Sequence, residues 1–131
     1  MNLRGWLERG SAMVESALTF PVLLMAGLAL VQFALFYHAE NVITGAVQDG
    51  ARVAAAEGGT LDQGVQYAQQ IIDAGLNSSQ EQIQVQAIDG GDAIAVTASG
   101  RMHLIVPWVA DATLPLHARA VMNKEQFHAG P

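Results

Sequence analysis

The chain of 131 residues contains no cysteine and few charged side chains, and each shortage narrows what it can do. Without cysteine there is no disulfide framework, no thiolate ligand for zinc and no cysteine nucleophile. Only 14% of the residues are charged, just six are Lys or Arg, and the formal net charge is -6. Because binding to nucleic-acid phosphates needs clustered cations, we expect no nucleic-acid partner.

Motifs for catalysis and for cofactor binding are also missing. The sequence has no phosphate-binding glycine loop and no nucleophile elbow, and its four histidines form no H-x-x-x-H pair. Asp89 and Asp92 flank two glycines, but the series of oxygen ligands is too short for a calcium loop, so a solvated hairpin turn is favoured. The sequence therefore predicts no enzyme, no metal site and no cofactor.

What the chain does have is a long apolar run, Ser16–Tyr37, without Asp, Glu, Lys or Arg. As a helix it would rise about 33 Å at ~1.5 Å per residue, enough to cross a hydrocarbon core of ~30 Å. The apolar region of a secretory signal peptide is shorter, ~7–15 residues. A core helix that is apolar on all sides needs a larger protein around it. We therefore predict a membrane-spanning anchor, with a kink or loosened first turns at Pro21.

The charges that flank this run predict its orientation. Arg4 and Arg9 precede it, whereas Glu40 and Asp49 follow it. Because basic residues tend to stay on the cytoplasmic side, we expect the N-terminus inside and everything after about residue 38 outside the cytoplasmic membrane.

Glu15 stands at the edge of the apolar run, where a buried carboxylate is costly unless it is paired. Gly10 lies five residues before it. Cleavage between Gly10 and Ser11 would make the α-amino group of Ser11 a cation at the same membrane depth. Glu15 of one subunit can then pair with that amine on a neighbouring subunit, which offsets two desolvation penalties. The alternative is that Glu15 only extends to the headgroup region.

The segment Arg9–Pro21, with the sequence RGSAMVESALTFP, resembles the N-terminus of TadE-like proteins, which are pseudopilins or minor pilins of Tad/Flp (type IVb) pilus systems. The family pattern is a glycine, a short small or apolar stretch, a glutamate and an apolar helix with an early proline. Ser16 departs from it, because the family often has a large apolar residue there. Val47–Ala56 and Leu116–Met122, which is followed by Glu125, are also similar to the family.

The resemblance implies a structural role in a pilus or a related secretion machine. A prepilin peptidase would cut after Gly10, leaving Ser11 first, and Glu15 would act in recognition or assembly. The implied partners are the membrane, the prepilin peptidase, other pilin or pseudopilin subunits and the inner-membrane pilus platform. The implied location is the bacterial inner membrane, crossed once, with possible incorporation into the pilus. The alternative from another class is an uncleaved, signal-anchored envelope binding protein.

Beyond the membrane the helix is expected to continue to Glu57–Gly59, with one apolar stripe that includes Ile43, Val47 and Ala54. Gly45 and Gly50 permit close approach of another backbone. That backbone is either the protein's own sheet, which we favour, or another pilin-like helix. Thr60 and Gln63 form the pattern of a capping box that opens a second helix, which ends near Gly75.

Period-two alternation after residue 82 predicts strands. The expected strands are 82–88, 94–98, 102–106 and 116–122. Asp89–Asp92 and Gly100–Arg101 are the predicted turns, Pro107 closes the third strand, and the tail after Lys124 is expected to fray.

The predicted fold class is therefore α+β and pilin-like: a long N-terminal transmembrane helix continues into a small head with a second helix and an antiparallel sheet of about four strands. The predicted division is a basic leader at 1–10 that is removed, a spanning helix with its extension at 11–57, and an αβ head at 58–131.

Overall fold

The computed structural model describes residues 3–76, 82–105 and 112–124, with the backbone alone over 3–11. Two helices precede three strands in this part of the chain. In order, the elements are α1 (Leu3–Ala55), α2 (Leu61–Gly75), β1 (Gln84–Asp89), β2 (Ala93–His103) and β3 (Thr113–Asn123). The predicted α+β class is confirmed, with one long apolar N-terminal helix, a second helix and an antiparallel sheet.

The chain divides into two compact units, Met1–Ala34 and Leu35–Pro131. The described part of the first unit is helical, and α1 continues without interruption through Pro21. Proline has no N–H, so the carbonyl of Ala17 loses its usual intrahelical donor at this point. The helix nevertheless remains unbroken at Pro21.

In the second unit, the C-terminal part of α1 contributes one buried face. Ile43, Val47 and Ala51 are fully buried and Ala54 is nearly so, while Phe36 packs against this core at partial exposure. The polar side of the helix carries exposed Asn41, Thr44, Gln48 and Arg52. The predicted apolar stripe is thus confirmed residue by residue, because a helical period of 3.6 fixes which side chains share a face.

The backbones of α1 and α2 approach closely at two glycines. A Cβ atom added to Gly50 would lie 2.7 Å from the carbonyl oxygen of Gly64, and one added to Gly64 would lie 2.5 Å from the carbonyl oxygen of Gly50. Both residues are buried. The structure therefore confirms that Gly50 serves a close approach within this chain, but its partner is α2 and not the sheet that the sequence favoured.

The predicted capping box at the start of α2 is present in full. The Thr60 Oγ1 atom accepts a hydrogen bond from the Gln63 backbone N–H at 3.2 Å, and the Gln63 side chain accepts one from the Thr60 N–H at 3.1 Å. The helix ends at Gly75, as predicted. These reciprocal bonds satisfy two backbone donors that the first turn of a helix leaves without intrahelical partners.

The sheet has the order β1-β2-β3, and both neighbouring pairs are antiparallel. One face supplies the core. The buried residues of β2 and β3 on this face are Ile94, Val96, Ala98, Met102, Leu116, Ala118 and Ala120. They belong to one apolar cluster with α1 and α2, so the two helices cover this face and leave the other face of the sheet to solvent.

The predicted turn at Gly100–Arg101 is wrong, because β2 runs through both residues and the described sheet has three strands instead of about four. A Cβ atom on Gly100 would lie 2.6 Å from the carbonyl oxygen of Gln82 and 2.8 Å from a side-chain carbon of Ile83. This glycine therefore permits a close backbone approach within a strand. The predicted stop at Pro107 and the tail after Lys124 lie outside the described residues.

The predicted hairpin turn at Asp89–Asp92 is confirmed. Gly91 has a φ of 92°, a conformation that favours glycine, and its N–H donates to Asp89 Oδ1 at 2.8 Å. Lys124 joins the turn, with Nζ 2.7 Å from Asp89 Oδ2. The hydrogen bond from Lys124, followed by the one from the Gly91 backbone, holds the pKa of Asp89 below its ordinary value. Lys124 therefore links the end of β3 to the β1–β2 turn.

Candidate functional site

The three residues predicted for processing and assembly lie on α1, within the first unit. Ser11 and Glu15 are four residues apart, so they share one face of the helix about 6 Å apart along its axis. Gly10 lies one residue earlier, about 100° around the helix from Ser11. The bond between Gly10 and Ser11 is therefore inside a helical segment, one turn before the glutamate.

The Glu15 side chain is exposed. Its backbone carbonyl accepts a hydrogen bond from Thr19 Oγ1 at 2.8 Å, which is the usual contact of a threonine with the carbonyl one turn earlier. Its carboxylate forms neither an ion pair nor a hydrogen bond with any side chain that the structure describes. A charge at the edge of an apolar segment thus has no partner among those residues.

Large apolar side chains are exposed along the helix that follows. Met13, Leu18, Phe20 and Leu30 are exposed by 76%, 70%, 68% and 72%. Among the described residues, one helical stretch, Ala12–Ala55, is long and apolar enough to cross a membrane, and its most apolar 18-residue window has a mean hydropathy of 2.1. Only 6% of that window is buried, which contradicts the interpretation as the core helix of a soluble protein. The segment is compatible with a membrane anchor.

No group of three or more His, Asp or Glu residues within residues 3–76, 82–105 and 112–124 is placed to hold a metal ion. A cavity of about 400 Å³ lies between the α1–α2 turn and the β1–β2 hairpin, and its charged lining residues are Glu57, Asp89 and Lys124. Asp89 and Lys124 form an ion pair at 2.7 Å.

The sequence analysis missed Gly64, the α2 partner in the helix crossing. A signal was available, because Gly64 lies four residues before buried Ala68 on the apolar face of a predicted helix. It also missed the ion pair between Lys124 and Asp89, which joins residues 35 positions apart and has no local pattern.

Comparisons with curated proteins and with solved structures give no match. A family model does match the N-terminal part of the chain. The matched residues contain the predicted processing bond, Glu15 and the apolar run, and they reach the first six residues of the second similar block, Val47–Ala56. The similarity predicted for Leu116–Met122 lies outside the match. The family is associated with Tad pili and is structural. The model of TadE-like protein thus matches residues 10–52 and confirms the predicted resemblance over this part of the chain.

Proposed function

We propose that the protein is a membrane-anchored pseudopilin, a structural and assembly component of a Tad/Flp-type (type IVb) pilus or a related secretion machine. The observation that supports the proposal is that three features occur together on one helix. The family match, the Glu15 carboxylate, which has no partner among the described side chains, and the exposed apolar side chains all fall on the same stretch of α1. A helix with these properties is suited to lateral packing in a bilayer and not to a soluble core.

The chain would cross the bacterial inner membrane once, with the N-terminus in the cytoplasm and the second unit outside. The basic residues Arg4 and Arg9 precede the apolar run, and no further Lys or Arg occurs before Arg52. This asymmetry supports the orientation through the tendency of basic residues to remain in the cytoplasm.

A prepilin peptidase would cut between Gly10 and Ser11. Peptide-bond hydrolysis requires the scissile segment to leave its helical conformation. Gly10 lowers the cost of that opening by about 1 kcal/mol relative to alanine, because glycine is a poor helix former. The cut lies close to the start of α1, where helices open most readily.

Cleavage would give Ser11 a cationic α-amino group near the membrane depth of Glu15. A carboxylate and an ammonium group that leave water together each lose less free energy than either would alone. Glu15 of one subunit would then pair with the amine of a neighbouring pilin or pseudopilin. The exposed apolar side chains after Glu15 would pack against the same neighbour or against the inner-membrane pilus platform.

The test uses two variants of Glu15 in a host that expresses the cognate pilus system. Glu15→Gln keeps the size of the side chain but removes its charge, and Glu15→Ala removes both. Ser16→Ala, one residue along the same exposed segment, is the matched control. All three proteins should enter the membrane and resist carbonate extraction. Both Glu15 variants should lose co-isolation with the pilin subunits and reduce piliation, whereas the control should keep both.

Normal piliation by Glu15→Ala would remove the carboxylate from the mechanism. A full-length chain that is found in the soluble fraction without detergent would remove the anchor and the pilus role together. An intact N-terminus with ligand binding by the second unit would favour the envelope binding protein instead.

A further inference from the structure

Two of the four cationic side chains in the second unit have an acidic partner and two do not. Arg52 and Lys124 each form an ion pair with an aspartate, at 3.4 Å and 2.7 Å. Arg101 and Arg119 are exposed and form no ion pair or side-chain hydrogen bond with any residue in the described ranges 3–76, 82–105 and 112–124. In a chain with a net charge of -6, these two exposed cations are available to an acidic surface of another molecule.

Both arginines lie on the solvent side of the sheet, which we call the outer sheet face. It is formed by the strand residues that alternate with the buried ones, and its polar members include Gln84, Gln86, Thr97, Ser99, Arg101 and Arg119. None of the residues that alternate onto this face in β1, β2 or β3 is acidic. The outer sheet face therefore carries two arginines and no acid on an acidic protein, with amides and hydroxyls beside the arginines and with exposed Ile88 and Val121 at the end away from Arg101.

The strand register gives the distance between the two positive charges. Arg119 is paired with Thr97, which lies four residues before Arg101 on β2. At ~3.4 Å per residue, the two positions are about 14 Å apart along the strands. A cavity of about 360 Å³ lies beside Arg101 on the β1 side of β2, and it is lined by Gln82, Gln84, Ser99, Gly100 and Arg101. The stretch of the face from Thr97 to Arg101 thus has one cation at each end, with the hydrogen-bonding groups of Gln84 and Ser99 between them.

The exposed side of α2 has the complementary arrangement. Asp62, Gln66, Gln69 and Asp73 follow the spacing i, i+4, i+7 and i+11, and we call these four residues the acidic stripe. Eleven residues make three turns plus about 20°, so the two aspartates share one face about 16 Å apart. Asp62, Gln66 and Asp73 are exposed, and α2 contains no Lys or Arg. Gln69 already donates to Asp73 Oδ1 at 3.0 Å, which helps to orient that carboxylate.

We propose that the outer sheet face of one subunit binds the acidic stripe of a second copy of the same chain. Arg101 and Arg119 would each reach one of the two aspartates, since the spacings of about 14 Å and 16 Å differ by less than an arginine side chain can bridge. The glutamines of the stripe would meet the amides and hydroxyls between the arginines. This contact names one partner within the assembly role proposed above and rests on that role for its biological setting.

A contact between two different surfaces of the same chain has a specific consequence for assembly. In a bound pair, one copy still has a free acidic stripe and the other still has a free outer sheet face. Further copies can therefore be added in one direction. An acidic segment of another protein and an anionic lipid headgroup are the competing occupants. The two matched spacings favour the second copy.

The test uses full-length chains in membranes, and the absence of native cysteine makes introduced cysteines unambiguous. One tagged copy carries Ser99→Cys at the centre of the outer sheet face, and a differently tagged copy carries Gln66→Cys in the acidic stripe. Mild oxidation should produce a disulfide-linked pair of the two tags. Two copies that both carry Ser99→Cys should cross-link far less.

Charge reversal decides whether the arginines direct this contact. Arg101→Glu with Arg119→Glu in the first copy should lower the cross-linked fraction about ten-fold, because two attractive pairs become repulsive. Adding Asp62→Arg with Asp73→Arg in the second copy should restore it. Arg52→Glu, which affects a cation already paired with an aspartate, is the matched control and should leave the yield unchanged.

Absence of the cross-link, its survival after reversal of the arginines alone, or its failure to return in the compensated pair would each overturn the proposal. Transfer of the arginine dependence to vesicles of anionic lipid or to another acidic protein would overturn it in favour of that occupant. Piliation that depends on Glu15 but not on the reversed charges would reject this contact and keep the proposed function. Piliation that does not depend on Glu15, with the cross-link intact, would reject the proposed function and keep the contact.

Discussion

Replacing Gly64 with alanine tests the close crossing of α1 and α2, on which the packing of the second unit depends. In an ordinary exposed helix, the change from glycine to alanine stabilises by about 1 kcal/mol, because alanine is the better helix former. Here the new Cβ atom would lie 2.5 Å from the carbonyl oxygen of Gly50 and 2.6 Å from the Cβ atom of Ala54. Both distances are below ordinary van der Waals contact, and both neighbours belong to α1.

The sign of the effect follows from what has to move. Neither a backbone carbonyl nor an alanine Cβ can rotate away, so the two helices must separate and lose contacts across a buried surface. Overpacking costs about 1–3 kcal/mol, and we expect the upper part of this range, about 2–3 kcal/mol, because both contacts are with atoms that cannot rotate away. After the gain of about 1 kcal/mol in helix propensity is subtracted, Gly64→Ala should lower the free energy of unfolding of the second unit by about 1–2 kcal/mol. With a urea dependence of ~1 kcal/mol per molar, the midpoint should fall by about 1–2 M.

The assay is a urea titration of the full-length protein in detergent micelles, read by brief proteolysis. Circular dichroism would be dominated by α1, which micelles keep helical. Gly45→Ala is the matched control, because Gly45 lies on α1, the helix that Gly64 approaches, and an added Cβ would have nothing within 4 Å. That variant should unfold at an equal or higher urea concentration than the wild type. If Gly64→Ala also unfolds at an equal or higher concentration, the close crossing is wrong.

Two further predictions concern the cap of α2 and the β1–β2 hairpin. Thr60→Ala removes the Oγ1 atom that accepts a hydrogen bond from the Gln63 N–H, so it should lower the free energy of unfolding by about 1 kcal/mol. Thr44→Ala, on the exposed side of α1, is the control and should not lower it. Equal urea midpoints for the two variants would contradict the capping role. Lys124 lowers the pKa of Asp89, so this pair stabilises the folded state above the ordinary value of 3.8 and stops doing so as the pH falls through the lower folded-state pKa. Lys124→Met should therefore lower the urea midpoint at pH 7 and have less effect below about pH 4. The linkage would be refuted if the difference in urea midpoint between the wild type and the variant were the same at both pH values.

Local rules account for most of what the sequence predicted correctly. The capping box joins two residues that are three positions apart, Thr60 and Gln63, and the turn at Asp89–Asp92 is a segment of only four residues. The buried stripe on α1 follows from the helical period alone. Such patterns are readable from the sequence because the interacting groups are neighbours on one element.

The differences arise where a distant segment decides the outcome. Gly100 reads as a turn, because glycine often ends strands, but the backbone of Gln82 approaches it and makes glycine necessary inside β2. Gly50 allows close approach of any backbone, and only the fold selects Gly64 as its partner. Neither choice can be derived from the residues next to it in sequence.

The candidate site divides in the same way. The apolar run and the position of Glu15 at its edge could be predicted from composition and spacing. The partner of Glu15 could not, since no described side chain of the same chain supplies a cation. In the proposed assembly, that cation belongs to another subunit and is created only by cleavage, so the sequence of one chain contains no local pattern for it.

The most direct measurement is the N-terminal sequence of the protein recovered from membranes of cells that contain the cognate prepilin peptidase. The account predicts a chain that begins at Ser11, with Glu15 as its fifth residue and paired with the new α-amino group of a neighbouring subunit. A Gly10→Leu variant should block the cut and retain Met1 in the same membranes. Recovery of the unaltered chain with Met1 still present, despite an active peptidase, would contradict the account.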